Sequence, residues 1–439
     1  MRYKNLIIFV MVVVFLVSLP GTLDAQEENT FYGNRAGYHN TTGSYNVFIG
    51  NYAGFFNTSG RYNTFLGFQA GYLNATGRYN TFLGSLAGRR NTTGVSNTFL
   101  GSNAGRSNTT GRFNTFIGFG AGYSNTTGEN NTFLGNEAGR YNTTGVSNTF
   151  LGSNAGRSNT TGRFNTLIGF GAGSLNTEGE SNTFIGFWAG SSNTTGYVNT
   201  FLGKNAGFFN TEGYANTFIG NQAGNSNTTG RHNTFIGGGA GYSNTTGENN
   251  IFLGDGAGSQ NNGSRNVFIG YRAGYHETES NNKLYIANDS ADSNVLIYGD
   301  FSQRRVGIGT LSPAYSLDVN GDIRASGNVH AACGVLTCSD LRLKIDIKPI
   351  ENALDHITKL RGITFRWKDK EKDDGQQLGV IGQEVEKIFP EAVSTDSEGY
   401  KSVDYGSLVA PLIEAVKELK AENEALKARI EALEKKIKD

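Results

Sequence analysis

From Asn29 onward the chain repeats every 17 residues. The unit reads N-T-F-[L/I]-G-x-x-A-G-x-x-N-T-T-G-x-x. Its leading asparagine returns at Asn46, Asn63, Asn80 and onward to Asn250, then one residue early at Asn266. A fixed internal period of this size means a stack of like units, because one short unit cannot bury its apolar face alone. Helices suit the unit poorly, since each of its near-fixed glycines would cost a helix interior roughly 1 kcal/mol. T-F-L-G has instead the β-branched and aromatic character of a short strand. Its alternation sends Phe to one face and Thr with Leu or Ile to the other. A-G and N-T-T-G supply corners, where Gly and Asn tolerate positive φ. The expected fold is mainly β: a β-solenoid over residues 29–281, with Phe stacked on Phe and Asn on Asn. Fifteen coils at the strand spacing of a sheet give a rod on the order of 70 Å long. Residues 95–115 and 146–166 are one string displaced by three units, which suits a spacer of adjustable length.

A coil holds few large apolar side chains, so association of several chains along the rod is expected to bury the second strand face. The repeats are similar to the head repeats of trimeric autotransporter adhesins, single-stranded β-rolls that pack as trimers. Those read N-S-V-A-I-G where this chain reads N-T-F-L-G. The N-T-T triplets are formal glycosylation sequons. Calcium-binding β-rolls need an Asp that these units lack. A Thr and Asn ladder leaves open the binding of ice, or of a surface glycan or receptor. Structural Asn ladders are the plainer reading.

Composition agrees with a turn-dense repeat: 62 glycines, five prolines and only 17% charged residues, with enough aromatics (12%) to argue against disorder. Formal net charge is zero, so no overall field draws the chain to nucleic acid or to an anionic membrane. Arg2 and Lys4 precede an apolar run from Leu6 to Leu19, then Pro20, Gly21 and Ala25. That order describes a signal peptide over residues 1–25, cut after Ala25, and a secreted or cell-surface protein. The run falls short of the ~18 residues a membrane-spanning helix needs.

The period breaks after Asn281. Residues 282–338 alternate short apolar runs with N-G and S-G turns, as a β-rich stalk would. Residues 339–439 then hold about half of all the charged side chains, a change of composition that marks a further domain. It opens S-D-L-R-L-K-I-D-I-K-P-I and continues through L-G-V-I-G-Q-E-V-E-K-I-F-P-E and G-Y-K-S-V-D-Y. A helix is expected over 350–360, a strand from Ile363 to Trp367, and a coiled coil over 405–438. Leu412, Leu419, Leu426 and Leu433 fall at one heptad position, and Val416, Asn423, Ile430 and Ile437 at another.

This string resembles the endosialidase-type intramolecular chaperone of phage tail spikes, a small α+β domain. The resemblance implies a homotrimer whose C-terminal domain templates the upstream fibre and then cuts itself off before Ser339. It implies Ser339 as nucleophile and Lys344 as its base, with the cut between Cys338 and Ser339. Chemistry permits this, because a serine hydroxyl needs a neighbouring base and desolvation can make lysine one. Five residues of strand span about 17 Å, however. The dyad therefore closes only if 340–343 turn back or if Lys344 comes from a neighbouring chain. The alternative is a turn-capping serine beside a solvated lysine. Cys333 and Cys338 are the only cysteines. In an oxidising compartment they suggest a disulfide, closed by a turn at Gly334 or made between chains. Two thiols alone do not make a metal site, and no cofactor is called for. A separate glycosidase domain is not expected, since residues 29–338 lack the paired carboxylates for one.

Overall fold

The computed structural model describes residues 28–291, 295–323, 340–368, 375–396 and 398–438. The chain divides into two units, Met1–Ile323 and Arg324–Asp439. The expected signal peptide lies outside the described residues, as do Cys333, Cys338 and Ser339. No described helix is long and apolar enough to cross a membrane.

Each repeat is one coil carrying one three-residue strand, from β1 (Thr30–Tyr32) through β15 (Val267–Ile269). Neighbouring strands pair parallel and in register, so Phe82 lies against Phe99 and Phe99 against Phe116. The coil Asn97–Phe113 shows why the sequence dictates this. Phe99 is fully buried while Thr98 and Leu100 face outward. Its ring stacks on those of Phe82 and Phe116 with centroids 4.8 Å apart. Ala104 fills the space beside it. Gly101 takes a φ of 137°, open in practice only to glycine. A Cβ on Gly111 would meet the Asn108 side chain and the Gly128 carbonyl of the next coil.

Two asparagine ladders complete the interior. The leading Asn114 donates from its backbone N–H to Asn97 Oδ1 at 3.0 Å and from Nδ2 to the Gly128 carbonyl at 2.8 Å. The corner Asn108 donates from Nδ2 to Asn91 Oδ1 at 2.7 Å and to the Gly111 carbonyl at 3.1 Å. These side chains are wholly buried, and their amide groups satisfy corner carbonyls that would otherwise be costly to bury. The core is thus thin but closed within one chain, rather than completed by a neighbour. The outward strand face, with its Thr and Leu or Ile side chains, stays open. The missing residue before Asn266 breaks the corner ladder. Asn244 turns its Nδ2 to the Asn261 carbonyl at 3.3 Å, and Asn227 Oδ1 is left without a hydrogen bond.

After the last coil, β16 (Lys283–Ala287) still pairs parallel with β15. The chain then reverses: β17 (Val295–Asp300) runs antiparallel to β16, and β18 (Arg305–Ile308) antiparallel to β17. β19 (Leu317–Val319) adds parallel to β18. Lys283 Nζ meets Asp300 Oδ2 at 2.7 Å, and this hydrogen bond, first among the causes, holds the Asp300 carboxyl below its ordinary pKa.

The second unit is small and α+β. Helix α1 (Ala353–Thr358) is followed by the antiparallel pair β20 (Ile363–Phe365) and β21 (Gln377–Gly379). Helix α2 (Gly382–Ile388) leads to the pair β22 (Val393–Thr395) and β23 (Lys401–Val403). The chain closes with α3 (Val409–Lys438). Its core is Val385, Ala392 and Leu408, with Leu360, Val380, Phe389, Val393 and Val403 packed around them.

Candidate functional site

The described part of the second unit begins inside the S-D-L-R-L-K segment. Ser339 lies outside the described residues, but Asp340 through Lys344 are described. They bend rather than run straight as a strand. Leu341–Leu343 form a single 3-10 turn, in which the Leu343 and Lys344 N–H groups donate to the Asp340 and Leu341 carbonyls, each at 3.1 Å. Asp340 caps the turn, accepting from the Arg342 N–H at 2.9 Å, and its carboxylate takes the Arg342 Nη2 at 2.7 Å. The Arg342 guanidinium, and then that N–H, hold the Asp340 carboxyl below its usual range. The aspartate and arginine of the motif thus shape the turn at Leu341–Leu343. Lys344 follows it with an exposed side chain.

Beyond the turn the backbone bends again at Asp346, which is left-handed at φ 54°. Leu341, Leu343, Ile345 and Ile347 alternate with charged residues, and all four are exposed, Ile345 to 88%. The terminal helix shows the same pattern. It runs 30 residues, about 45 Å, yet buries only Pro411 and Ala415. Leu412, Val416, Leu419, Leu426, Ile430, Leu433 and Ile437 are all exposed. Asn423 turns its Nδ2 back onto the Leu419 carbonyl at 3.0 Å. The helix root is held from inside the unit. Glu418 accepts the free N–H groups of Ala353 and Leu354, at 3.0 and 2.8 Å, and so caps α1 in place of Asn352. An acid at a helix N-terminus satisfies orphan donors and complements the dipole. Sequence reasoning missed Glu418, because nothing local links it to a helix 65 residues upstream.

Residues 339–394 match the family described as chaperone of endosialidase. The chain is also similar to the long tail fiber protein Gp37 of Enterobacteria phage K3: 38% identical over 127 residues, 27% of this chain and 9% of that protein. Its counterpart in Enterobacteria phage Ox2 is 32% identical over 137 residues, 28% of this chain and 54% of that protein. A third relative is myelin gene regulatory factor-like A of Dictyostelium discoideum, 29% identical over 154 residues, 31% of this chain and 16% of that protein. The chain therefore spans a small part of the phage K3 protein and about half of the Ox2 protein.

Proposed function

We propose that this chain, whose residues 339–394 are a chaperone-of-endosialidase domain, is an exported fibre protein that assembles as a homotrimer and then frees its shaft by cutting before Ser339. The observation that carries the reading is the exposed apolar surface of the tail. A helix of seven heptad-spaced apolar side chains and a segment of four alternating ones have no cover in a single chain. Such surface is normally buried by self-association. Bundling the helices in three would cover the stripe, and the 341–347 segments of the three chains could then meet. Asn423 and the β-branched residues around it lean towards two strands. A short zipper joined to a larger assembly need not choose its own number.

In the cutting step Ser339 Oγ attacks the Cys338 carbonyl as Lys344 takes its proton. The amide nitrogen of Ser339 leaves as an amine, and an ester joins Cys338 to Ser339 Oγ. Water opens that ester, giving a Cys338 carboxylate and a tail beginning at Ser339. The charge-capped turn at 341–343 supports a dyad closed within one chain. The apolar segment beyond it supports coupling between cutting and assembly. A disulfide between Cys333 and Cys338 would stiffen the shaft's last residues.

Mass spectrometry of the purified chain tests this directly. The native sequence is expected to yield a shaft ending at Cys338 and a tail starting at Ser339. Ser339→Ala and Lys344→Ala should each remain whole while keeping the native mass of a trimer. An intact chain in all three preparations would overturn the self-cutting step.

A further inference from the structure

Between Glu28 and Glu129 the chain has seven arginines and no acidic residue. Three of these, Arg61, Arg78 and Arg112, share one corner position just before the strand, the first two on successive coils and Arg112 one coil further on, past Val95. The column beside them is aromatic. Tyr45, Tyr62 and Tyr79 stack ring on ring, with centroids 4.9 and 5.0 Å apart. The next two residues in that column are Ser96 and Phe113, held in the same left-handed conformation, φ 55° and 57°. The aromatic ladder is therefore interrupted for one coil. Tyr79 and Phe113 face one another across two coil steps, roughly 9.6 Å at the strand spacing of a sheet. A ring inserted over Ser96 would sit one step from each, at the spacing the tyrosines keep among themselves.

An open groove of about 570 Å³ coincides with the gap, and Arg78, Thr93, Val95 and Thr110 line it beside the slot residues. A second groove of about 460 Å³ continues along the same corner over Ser59, Arg61 and Thr76, sharing Arg78, Thr93 and Val95. Both volumes suit a ligand of several rings. Arg112 is paired with Glu129 at 2.8 Å. Arg61 and Arg78 make no ion pair among the described residues, and Glu129 lies three coils beyond Arg78.

We propose that this corner binds an acidic polysaccharide. One pyranose ring enters the slot between Tyr79 and Phe113, hydroxyls of Thr93 and Thr110 meet sugar hydroxyls, and Arg78 with Arg61 holds a sugar carboxylate. The charge pattern favours a glycan over nucleic acid. Single-stranded nucleic acid is held by a groove whose cations track every phosphate. Here the cationic line is interrupted at Val95 and Arg112 is already neutralised, so Arg61 and Arg78 can hold one carboxylate of a chain but cannot track a phosphate at every step. The site needs only the coils of one chain and stands apart from any cut at Ser339.

The chain carries its own control. In the copied string Ser147 and Phe164 recur, but Glu129 and Asn130 stand where Arg78 and Tyr79 do. Arg78→Glu with Tyr79→Asn therefore installs side chains that a coil of this shaft already accepts. Ser96→Tyr would instead fill the slot and complete the ladder without touching the charge. Calorimetry on the full chain should show binding of oligogalacturonate and much weaker binding of dextran oligomers. Arg78→Glu/Tyr79→Asn and Ser96→Tyr should each weaken oligogalacturonate by about tenfold or more, as loss of an aromatic or Arg anchor does, with Ser96→Tyr melting no lower than the native chain. Absence of oligogalacturonate binding, or full binding by Ser96→Tyr, would overturn the proposal. So would single-stranded DNA bound as tightly and lost in the same variants, which would make the site one for nucleic acid.

Discussion

The coil Asn97–Phe113 turns its corners through four residues with positive φ, of which Gly101 and Gly105 are glycine and Asn103 and Phe113 are not. The glycines are legible in the sequence because nothing else serves. A Cβ on Gly101 would run into the Gly118 backbone, and one on Gly105 into the Phe99 ring. The other two positions are invisible there, because their residue type changes from coil to coil. At the Phe113 position the column holds Tyr79, Ser96, Asn130, Val198, Ala215 and His232, all left-handed. Such a backbone costs an ordinary L-residue about 1–2 kcal/mol, and a β-branched one suits it worst. Val198 sits there at φ 54° with its side chain half exposed, so little packing is lost by replacing it. Asn tolerates the conformation and already occupies it at Asn130 and Asn249. Val198→Asn is therefore expected to stabilise the shaft by about 1 kcal/mol, read as a rise in melting temperature. An unchanged or lower transition would mean that the stacked coils, rather than the local backbone, set the energy of the corner.

Among the elements, the strands repeat the alternation of T-F-L so closely that face, register and stacking follow from three residues. What the period alone does not show is where a coil is weak. Phe150 and Phe184 flank Leu167, the one strand centre from Phe48 to Phe268 that carries no ring. The ring stack runs unbroken from Phe31 to Phe150 and again from Phe184 to Phe268. Leu167 is fully buried on the same backbone as its neighbours, with Ala172 and Gly173 beside it as Ala155 and Gly156 lie beside Phe150. Leu167→Phe should therefore fit the space the other coils provide and restore two stacked contacts, a gain of about 1 kcal/mol. Chemical denaturation of the shaft would show it as a higher midpoint at unchanged slope. A lower midpoint would mean that this coil has closed around leucine. The tail elements are less legible. Helix α1 depends on Glu418, and its short span, Ala353–Thr358, reflects a cap supplied from another element rather than by its own N-cap residue.

For the molecule as a whole, the structure changes what the proposed assembly would ask of the tail. From Asn46 to Asn261 each coil closes its own core, with its Phe (Leu167 in one coil) and both asparagines fully buried in a single chain, so a lone shaft does not need partners to stack these coils. What near-identical coils cannot do is align one chain with another. Side by side, two shafts displaced by one coil would meet through almost the same Thr and Leu or Ile faces and forfeit only one coil of contact in fifteen. A slip of three coils even superposes the copied strings 95–115 and 146–166. The repeat that makes the fold readable thus makes its register between chains ambiguous. In the proposed assembly a feature outside the repeat would set it, and the heptad stripe of α3 with the exposed apolar side chains of 341–347 offers surface for that. The motif around Ser339 and Lys344 could be proposed from residues, whereas the turn at Leu341–Leu343 could only be posed as a condition. A chain ending at Cys338 is accordingly expected to fold its coils, with the same melting transition as the full chain. It should associate into staggered assemblies of several masses and end-to-end lengths, separable by native mass spectrometry and electron microscopy. The full chain with Ser339→Ala should give one mass and one length. A truncated shaft that assembled as a single trimer with flush ends would show that the coils carry their own register, and the tail would then need another purpose.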